Sequence, residues 1–453
     1  MSIPRILPRA EHPISRGYVD PDALRVLYRL HRAGYKAYLV GGSVRDLMTG
    51  RTPKDFDIGT DAKPQEVRRL FRNSRVIGRR FRLVHILFEG GKIVEVSTFR
   101  KTPDAVRGEQ GQEGEDDLLI RSDNTFGTPE EDALRRDFTI NGLFYDIATY
   151  AVLDFVGGVE DLERRVVRTI GDPLIRFRED PVRMLRACEF AARLSFSMSE
   201  DVQGAIAELK REVTKSAAPR VTEELLDPLR RGWGHDTYRI WSEAGLLDAL
   251  LPELGGSGAA RAAEGTAESL LFALLRETDA LQSAGKRLED ATLLSAVFLP
   301  VVFDAVRRRG PLVPAGPGQI LPVLEGAVNP LGIRMSLPNH VTETVKHVLE
   351  TLGRLTSTRP ADPGVRRLAG RPYLKASVAL LSLYARASGR YREAAAAWDE
   401  AVERGFGTHG ASAAFPDALV PAPEPFAAAP DGRQPVRKRR RGGRRRKPQA
   451  APA

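Results

Sequence analysis

Apolar positions follow two different spacings along the chain, and each spacing predicts a different kind of structure. Up to about residue 170 the apolar residues form short runs, at 36–40, 75–78, 82–88 and 92–99, which are typical of strands. Beyond that point they recur every three or four positions, which predicts amphipathic helices. We therefore expect an α+β fold in which a small mixed sheet is followed by a helical part.

Changes in this pattern and in composition mark the expected domain boundaries. The strand-rich part should form a head at 18–170, and the helical part should divide into a neck at 171–250 and a C-terminal body at 251–405. We expect 1–17 to be a flexible N-terminus. Residues 406–453 are rich in Ala, Pro and Gly, so they cannot bury enough apolar surface to fold, and we expect a disordered basic tail.

Composition narrows the class of protein. A chain of 453 residues is long enough for two to four domains. Its one cysteine, Cys188, excludes an intrachain disulfide framework and a cysteine zinc cluster. No apolar run reaches the roughly 18 residues of a membrane-spanning helix, and the first residues lack the apolar segment of a signal peptide. These features predict a cytoplasmic protein with no transmembrane segment.

The formal net charge of +10 comes entirely from the C-terminal tail. Residues 433–453 contain ten Lys or Arg and no acidic residue, which leaves 59 basic and 59 acidic residues in the rest of the chain. A compact basic run predicts contact with a polyanion such as RNA, because phosphate contacts give affinity without sequence preference. The tail residues expected to make these contacts are Arg437, Lys438, Arg439, Arg440, Arg441, Arg444, Arg445, Arg446 and Lys447.

The stretch 38–61 has the pattern of a phosphate and metal site. An apolar strand ends at Gly41 and Gly42, and glycines let the backbone approach a phosphate closely. Asp55 and Asp57 follow, and in a strand residues two apart project to the same face. Two carboxylates on one face repel each other unless a cation lies between them. Such oxygen ligands suit Mg²⁺, which combines one or two carboxylates with substrate phosphates.

Three motifs resemble the class II template-independent RNA nucleotidyltransferases, the superfamily that contains bacterial poly(A) polymerases and tRNA CCA-adding enzymes. In chain order they are LVGGSVRDLMTGRTPKDFDIGTD, RRDFTINGLFYD and EDPVRMLRACEFAARL, and the resemblance covers about 35–235. The resemblance implies a nucleotidyltransferase head followed by all-helical neck, body and tail domains. It also implies transfer of a nucleotide from a nucleoside triphosphate to an RNA 3′ end.

The resemblance gives the residues of these motifs specific roles. Asp55 and Asp57 are expected to hold two metal ions, here Mg²⁺, which assist attack of an RNA 3′-hydroxyl on the α-phosphate. The two glycines and the serine after them would present N–H groups and a hydroxyl to the phosphates at a helix N-terminus. The residues expected to bind the nucleotide are Gly41, Gly42, Ser43, Arg45, Arg135, Arg136, Asn141, Asp180, Arg183 and Arg186.

The third catalytic carboxylate has two candidates. The resemblance makes Asp137 the third active-site aspartate. Glu95 lies in a predicted neighbouring strand, IVEVSTFR, from which its carboxylate can also reach the metals. The alternative for Glu95 is an ordinary carboxylate on an edge strand, and the choice stays open at this point.

The third motif predicts how the base is selected. Asp180 and Arg183 lie three residues apart in a predicted helix at 179–194, so they should share a face, which Arg186 extends. A carboxylate and a guanidinium offer an acceptor and several donors to the Watson–Crick edge of a base. By resemblance this pair is the nucleobase reader, which can distinguish adenine from guanine without a nucleic-acid template.

Two basic segments favour poly(A) synthesis over CCA addition. Residues 76–85, VIGRRFRLVH, resemble bacterial poly(A) polymerases, and Arg79, Arg80 and Arg82 are expected to face the RNA. The basic tail suits an enzyme that accepts many RNA 3′ ends. We therefore expect a polynucleotide adenylyltransferase that uses ATP and Mg²⁺, and the resemblance implies that its products are passed to RNA-decay machinery. CCA addition to tRNA and a catalytically silent RNA-binding protein are the alternatives.

Overall fold

The computed structural model of the chain describes residues 4–78, 82–101, 125–254, 267–309, 320–362 and 365–404. The N-terminal part contains a mixed sheet of eight strands and the part that follows is largely helical, which confirms the expected fold class. The strands of the sheet are β1 (Arg5–Leu7), β2 (Ala37–Val40), β3 (Ile58–Thr60), β4 (Ser74–Ile77), β5 (Leu83–Leu87), β6 (Ile93–Thr98), β7 (Leu143–Asp146) and β8 (Val152–Asp154).

The strand order brings two distant segments of the chain side by side. Across the sheet the order is β1-β8-β7-β2-β3-β6-β5-β4. Strands β3 and β6 run parallel, with Ile58 paired to Val96, whereas β2 is antiparallel to both β3 and β7. Neighbouring strands lie about 4.8 Å apart. Asp57 directly precedes Ile58, and Glu95 directly precedes Val96. Asp57 and Glu95 are therefore neighbours although 38 positions separate them in the sequence.

Short helices connect and cover the strands of the head. The Asp20 carboxylate caps α1 by accepting hydrogen bonds from the backbone N–H groups of Asp22 and Ala23, and Gly34 follows the helix end at a φ of +87°. Burial of each leucine side chain on the inner face contributes about 2 kcal/mol. The helices of the head are α1 (Pro21–Arg32), α2 (Gly42–Met48), α3 (Pro64–Leu70), α4 (Pro129–Leu134) and α5 (Gly158–Arg164).

The helical part packs directly against the head. Phe190 of the neck meets Phe138 of the head edge to face, with ring centroids 5.5 Å apart, and Trp241 donates to the carbonyl of Leu185 within the neck. The remaining helices are α6 (Pro173–Glu179), α7 (Val182–Leu194), α8 (Glu200–Leu209), α9 (Ala218–Arg231), α10 (Gly234–Glu243), α11 (Leu246–Leu250), α12 (Ala267–Ser283), α13 (Asp290–Arg309), α14 (Leu321–Arg334), α15 (Asn339–Ser357), α16 (Arg366–Ala369), α17 (Leu374–Ser388) and α18 (Arg392–Glu403).

The expectation of a flexible N-terminus at 1–17 is wrong for the part that the structure describes. Residues Arg5–Leu7 form strand β1, which is antiparallel to β8. His12 then hydrogen-bonds through Nε2 to the carbonyl of Tyr150 at 2.9 Å. The segment is ordered because it supplies backbone partners to an edge strand that would otherwise be unpaired.

Some predicted features lie outside the described residues. They include Arg79, Arg80 and the whole tail at 406–453, with all nine of its expected RNA-contacting residues. The RNA-binding roles of these residues stay predictions. None of the helices within the described ranges combines the length and the apolar character that crossing a bilayer requires.

Candidate active site

The turn after β2 is built for close contact with an arginine. Gly41 has a φ of +68°, which favours glycine, and a Cβ at this position would lie 2.9 Å from Nη1 of Arg136. Helix α2 begins at the next residue, so its first N–H groups face the same turn. The backbone conformation therefore favours glycine here, whereas the flexible Arg136 side chain could shift away from a Cβ.

Two other residues of this turn hold the framework of the site. Arg45 is only 2% exposed, and its guanidinium donates to Asp46 and, at 2.7 Å, to Oδ1 of Asn141. The Ser43 hydroxyl donates to the carbonyl of Val40 at 3.0 Å and is also buried. Both side chains are thus buried and hydrogen-bonded within the protein, and the phosphate contacts expected from them stay predictions.

The predicted metal-binding aspartates lie just before strand β3 and not within it. Asp55 is exposed and Asp57 is half-buried. The backbone N–H of Val40 donates to the carbonyl of Asp57 at 3.0 Å, which fixes this aspartate beside the glycine turn. Burial and the negative charges of Glu95 and Asp55 raise the pKa of Asp57 to about 6, although Arg136 acts in the opposite direction.

These carboxylates fit a hard divalent cation. Repulsion among Asp55, Asp57 and Glu95 is relieved when a cation binds between them. Within the described part of the chain, no group of three or more His, Cys, Asp or Glu side chains stands ready to hold a metal ion. Mg²⁺ does not need such a cage, because it keeps several waters and takes one or two carboxylates plus substrate phosphates.

The Asp137 carboxylate forms an ion pair and hydrogen bonds with other residues of the protein. Its Oδ2 accepts from Nε and Nη2 of Arg186 at 3.0 and 2.8 Å, and its Oδ1 accepts from Asn141 and from the backbone of Phe138. Burial favours the protonated carboxyl, but the charge of Arg186 and these hydrogen bonds prevail and lower the pKa of Asp137 to about 2. Asp137 and Arg186 thus form an ion pair between the head and the neck, and the metal-side role expected of Asp137 and the nucleotide contact expected of Arg186 stay predictions.

Five arginines form a positive cluster next to the glycine turn. Arg135 has its pKa lowered to about 9 by burial and by the positive charges of four other arginines. The carboxylate of Asp132 lies 3.6 Å from Arg135 and 2.9 Å from Arg136. The members of the cluster are Arg100, Arg135, Arg136, Arg176 and Arg183. Such a concentration of guanidinium groups suits a polyphosphate.

Arg100 and Arg176 were missed by the reasoning from sequence. Arg176 donates through Nη2 to the carbonyls of Arg135 and Arg136, at 2.8 and 2.7 Å, so it ties the neck to the second motif. Its buried Nε has no hydrogen-bond partner among the described residues. Neither arginine belongs to one of the three motifs. Arg100 follows β6 and Arg176 lies in α6, so spacing along the sequence does not connect them with the cluster.

Only one member of the expected base reader lies in a helix. Helix α6 ends at Glu179 and α7 extends from Val182 to Leu194, so the predicted helix at 179–194 is present but begins three residues later. Asp180 lies between the two helices, and both its oxygens accept from Arg220 of α9 at 2.9 Å. Arg183 donates instead to Glu179 and to the carbonyl of Arg176, each at 3.2 Å. Arg220 is a site residue that no sequence pattern indicated.

A mixed-sheet head with a glycine turn, a carboxylate group and an arginine cluster, followed by helices, defines a protein of nucleotidyltransferase type. Residues 37–168 match the Poly A polymerase head domain, and residues 195–255 match the "Probable RNA and SrmB- binding site of polymerase A". These two segments of the chain are therefore similar to the head and to the RNA-binding region of poly(A) polymerases, which confirms the resemblance seen in the three motifs.

Individual relatives include both kinds of enzyme in this superfamily. The chain is 44% identical to Poly(A) polymerase I of Escherichia coli O6:H1 over 65% of its own length and 63% of the relative's. It is 38% identical to the CCA-adding enzyme of Geobacillus kaustophilus over 51% of its own length and 55% of the relative's. The chain thus spans less than two thirds of these relatives.

Solved structures show the same fold. The Bacillus stearothermophilus CCA-adding enzyme in complex with CTP superposes with a TM-score of 0.60 at 25% identity, covering 85% of this chain and 82% of that one. A tRNA-processing enzyme in its apo form superposes with a TM-score of 0.58 at 22% identity, covering 88% and 95%. The similarity extends beyond the head into the helical part.

Proposed function

We propose that this protein is a polynucleotide adenylyltransferase that adds AMP from ATP to RNA 3′ ends. The observation that carries the proposal is the position of Asp57 beside the glycine turn, where the charges of Asp55, Glu95 and Arg136 act on it, in a head that matches that of poly(A) polymerases. In the reaction the 3′-hydroxyl oxygen bonds to the α-phosphorus, the bond from that phosphorus to the β-phosphate oxygen breaks, and pyrophosphate leaves. The hydroxyl proton passes to solvent.

The carboxylates proposed to hold Mg²⁺ are Asp55 and Asp57, and Glu95 is the third member of the group. Glu95 is favoured over Asp137 because it lies beside Asp57 on the parallel strand and raises its pKa. Glu95 pairs with His85 at 3.3 Å, whereas Asp137 is held more closely by Arg186 and Asn141. When bound, Mg²⁺ activates the attacking oxygen and stabilises the leaving pyrophosphate.

The arginine cluster is proposed to bind the triphosphate. Arg135 and Arg136 approach from the second motif and Arg183 from the neck, so phosphate oxygens placed between them would be neutralised from both domains. The glycine turn contributes backbone N–H groups at the start of α2. Arg45 and Asn141 support this site as positioning residues, since their hydrogen bond links the turn to Asp137.

Asp180 and Arg183 are proposed to select adenine. Arg220 holds the Asp180 carboxylate in one orientation through two hydrogen bonds, and a carboxylate retains lone pairs that accept from the 6-amino group of adenine. Arg183 has further N–H donors for a ring nitrogen of the base. Guanine presents a carbonyl where adenine presents an amino group, so its oxygen would repel the Asp180 carboxylate.

CCA addition to tRNA is the second candidate, because CCA-adding enzymes are among the relatives and the matching structures. Adenylyl transfer is preferred because identity to the poly(A) polymerases is higher and extends over more of the chain. The deciding experiment supplies each nucleoside triphosphate separately to an unstructured RNA and to a tRNA that lacks CCA. Long tails made from ATP alone on the unstructured RNA support the proposal, whereas CTP incorporation restricted to the tRNA supports the alternative.

A catalytically silent RNA-binding protein would incorporate no nucleotide in either reaction. The intact carboxylates and the arginine cluster argue against that interpretation. Transfer of the tailed RNA to decay machinery and a cytoplasmic location stay predictions from the sequence.

A further inference from the structure

A cavity of about 600 Å³ lies between the head and the helical part, apart from the arginine cluster. The head contributes the loop at 51–54, which leads directly into Asp55. The neck contributes Arg193, the part of α9 from Glu223 to Arg231 and Trp233, and the body contributes Arg287. The cavity therefore borders the loop that precedes the proposed metal ligand Asp55.

The lining has a surplus of positive charge. Three acidic residues, Asp46, Glu223 and Asp227, line the cavity, against six basic ones. The basic residues are Arg51, Lys54, Arg193, Arg230, Arg231 and Arg287. Each acidic residue pairs with one of the arginines: Asp46 with Arg193, Glu223 with Arg230, and Asp227 with Arg231. Three positive charges are left without a matching negative charge on the wall.

Two of these surplus cations are available for a phosphate. Arg51 donates to the carbonyl of Arg193 at 2.8 Å, and Arg287 donates to the carbonyl of Arg230 at 3.2 Å. Within the described ranges, neither guanidinium forms an ion pair with a carboxylate. A carbonyl orients a guanidinium without neutralising it, and each guanidinium has five N–H donors, so further donors remain.

The cavity wall also contains an aromatic side chain. The indole ring of Trp233 lies 5.0 Å from the guanidinium carbon of Arg193 and 5.8 Å from that of Arg231. Its Nε1 has no hydrogen-bond acceptor among the described residues. Basic groups that follow a backbone, combined with an aromatic ring, are the features by which proteins bind single-stranded nucleic acid.

We propose that this cavity binds the phosphate backbone of single-stranded RNA immediately upstream of the reacting 3′ end, with Arg51 and Arg287 as the phosphate contacts. The inference rests on the proposed function, because the 3′-hydroxyl must reach Asp55 and Asp57 while ATP occupies the arginine cluster. The strand behind that hydroxyl then leaves the site past the loop at 51–54. The α9 and Trp233 part of the wall lies within the region matched to a probable RNA-binding site.

The test compares the full-length protein with the double variant Arg51→Gln/Arg287→Gln. Binding of a labelled unstructured RNA is measured by fluorescence anisotropy over a series of salt concentrations. Each lost phosphate contact lowers the slope of log K against log salt by about 0.7 for a single strand, so the double variant should lose about 1.4. If the wild type and the double variant bind RNA equally at 1 M salt, this difference in slope corresponds to roughly 25-fold weaker binding by the variant at 0.1 M salt. The KM for RNA should rise, with the KM for ATP unchanged.

Two further variants distinguish the loss of phosphate contacts in the cavity from a general effect of the substitutions on RNA binding. Arg51→Lys/Arg287→Lys keeps both charges and should retain the wild-type slope. Arg354→Gln/Arg404→Gln removes two charges from exposed intrahelical pairs outside the cavity and should leave the slope unchanged. Circular dichroism of all variants confirms that they are folded, and a Gln/Gln variant that does not fold is replaced by the two single variants, each expected to lose about 0.7.

The two proposals fail in different ways. If the wild-type protein makes poly(A) and the Gln/Gln variant keeps the wild-type slope, the cavity does not bind RNA and the proposed function stands. If the slope falls as expected but no RNA receives AMP, the cavity is an RNA site and the adenylyltransferase assignment is wrong.

Discussion

The ion pair between Asp137 and Arg186 is predicted to hold the head against the neck, and Asp137→Asn tests this. The pKa of Asp137 falls from 3.8 to about 2 on folding, and one pKa unit corresponds to about 1.4 kcal/mol, so the charged carboxylate stabilises the fold by roughly 2 kcal/mol. The variant leaves Arg186, whose side chain is 35% exposed, with Glu224 at 3.5 Å as a remaining carboxylate partner. We therefore expect the free energy of unfolding to fall by about 2 kcal/mol at pH 7.

The pH dependence gives the prediction a second signature. Because the native pKa lies below the unfolded one, the stabilisation is present above about pH 4 and is lost as the pH falls toward 2. The stability difference between wild type and Asp137→Asn should therefore shrink between about pH 4 and pH 2. Urea unfolding followed by circular dichroism measures it at each pH.

A surface pair provides the matched control. Glu160→Gln removes a carboxylate that pairs with Arg164 at 2.7 Å on an exposed helix, and such pairs contribute about 0–1 kcal/mol. Equal stability of Asp137→Asn and wild type, together with a raised Mg²⁺ requirement for activity, would refute the reasoning. That result would return Asp137 to the metal site.

Three further predictions concern the site and the tail. Asp57→Ala should abolish AMP incorporation while RNA binding persists, because it removes a proposed metal ligand; an active variant would contradict the metal assignment. Arg183→Ala should relax the preference for ATP over the other nucleotides in single-nucleotide assays, and unchanged selectivity would remove this residue from base selection. Deletion of 433–453 should reduce the salt dependence of RNA binding, since it removes ten basic residues, and an unaltered slope would show that the tail makes no phosphate contact.

Several local features of the structure depend on residues that are close together in the sequence. Asp20 caps α1 through N–H groups two and three residues away, and Thr128 and Glu131 form a reciprocal cap at the start of α4. The glycine turn at Gly41 needs a left-handed backbone conformation at one position. Each of these features is complete within a few residues, so its chemistry is visible in the sequence.

The errors arise where a partner comes from far along the chain. The pattern at 179–194 has helical periodicity, but the main chain breaks at Asp180 and Pro181, and Arg220 takes the carboxylate of Asp180 from 40 residues away. Likewise, 1–17 has no strong pattern of its own, yet Arg5–Leu7 are ordered by pairing with β8. Periodicity reports which face of an element is apolar and not which polar group the fold brings to it.

The sequence by itself determined the class of protein, because three motifs carry the residues for phosphate binding and nucleotide transfer in a characteristic order. Only the tertiary structure decided which neighbour each carboxylate of the site has. The parallel pairing of β3 with β6 places Glu95 beside Asp57, and the packing of α7 on the head places Arg186 on Asp137. Both outcomes depend on strand register and helix packing, which bring together charges that no local spacing relates.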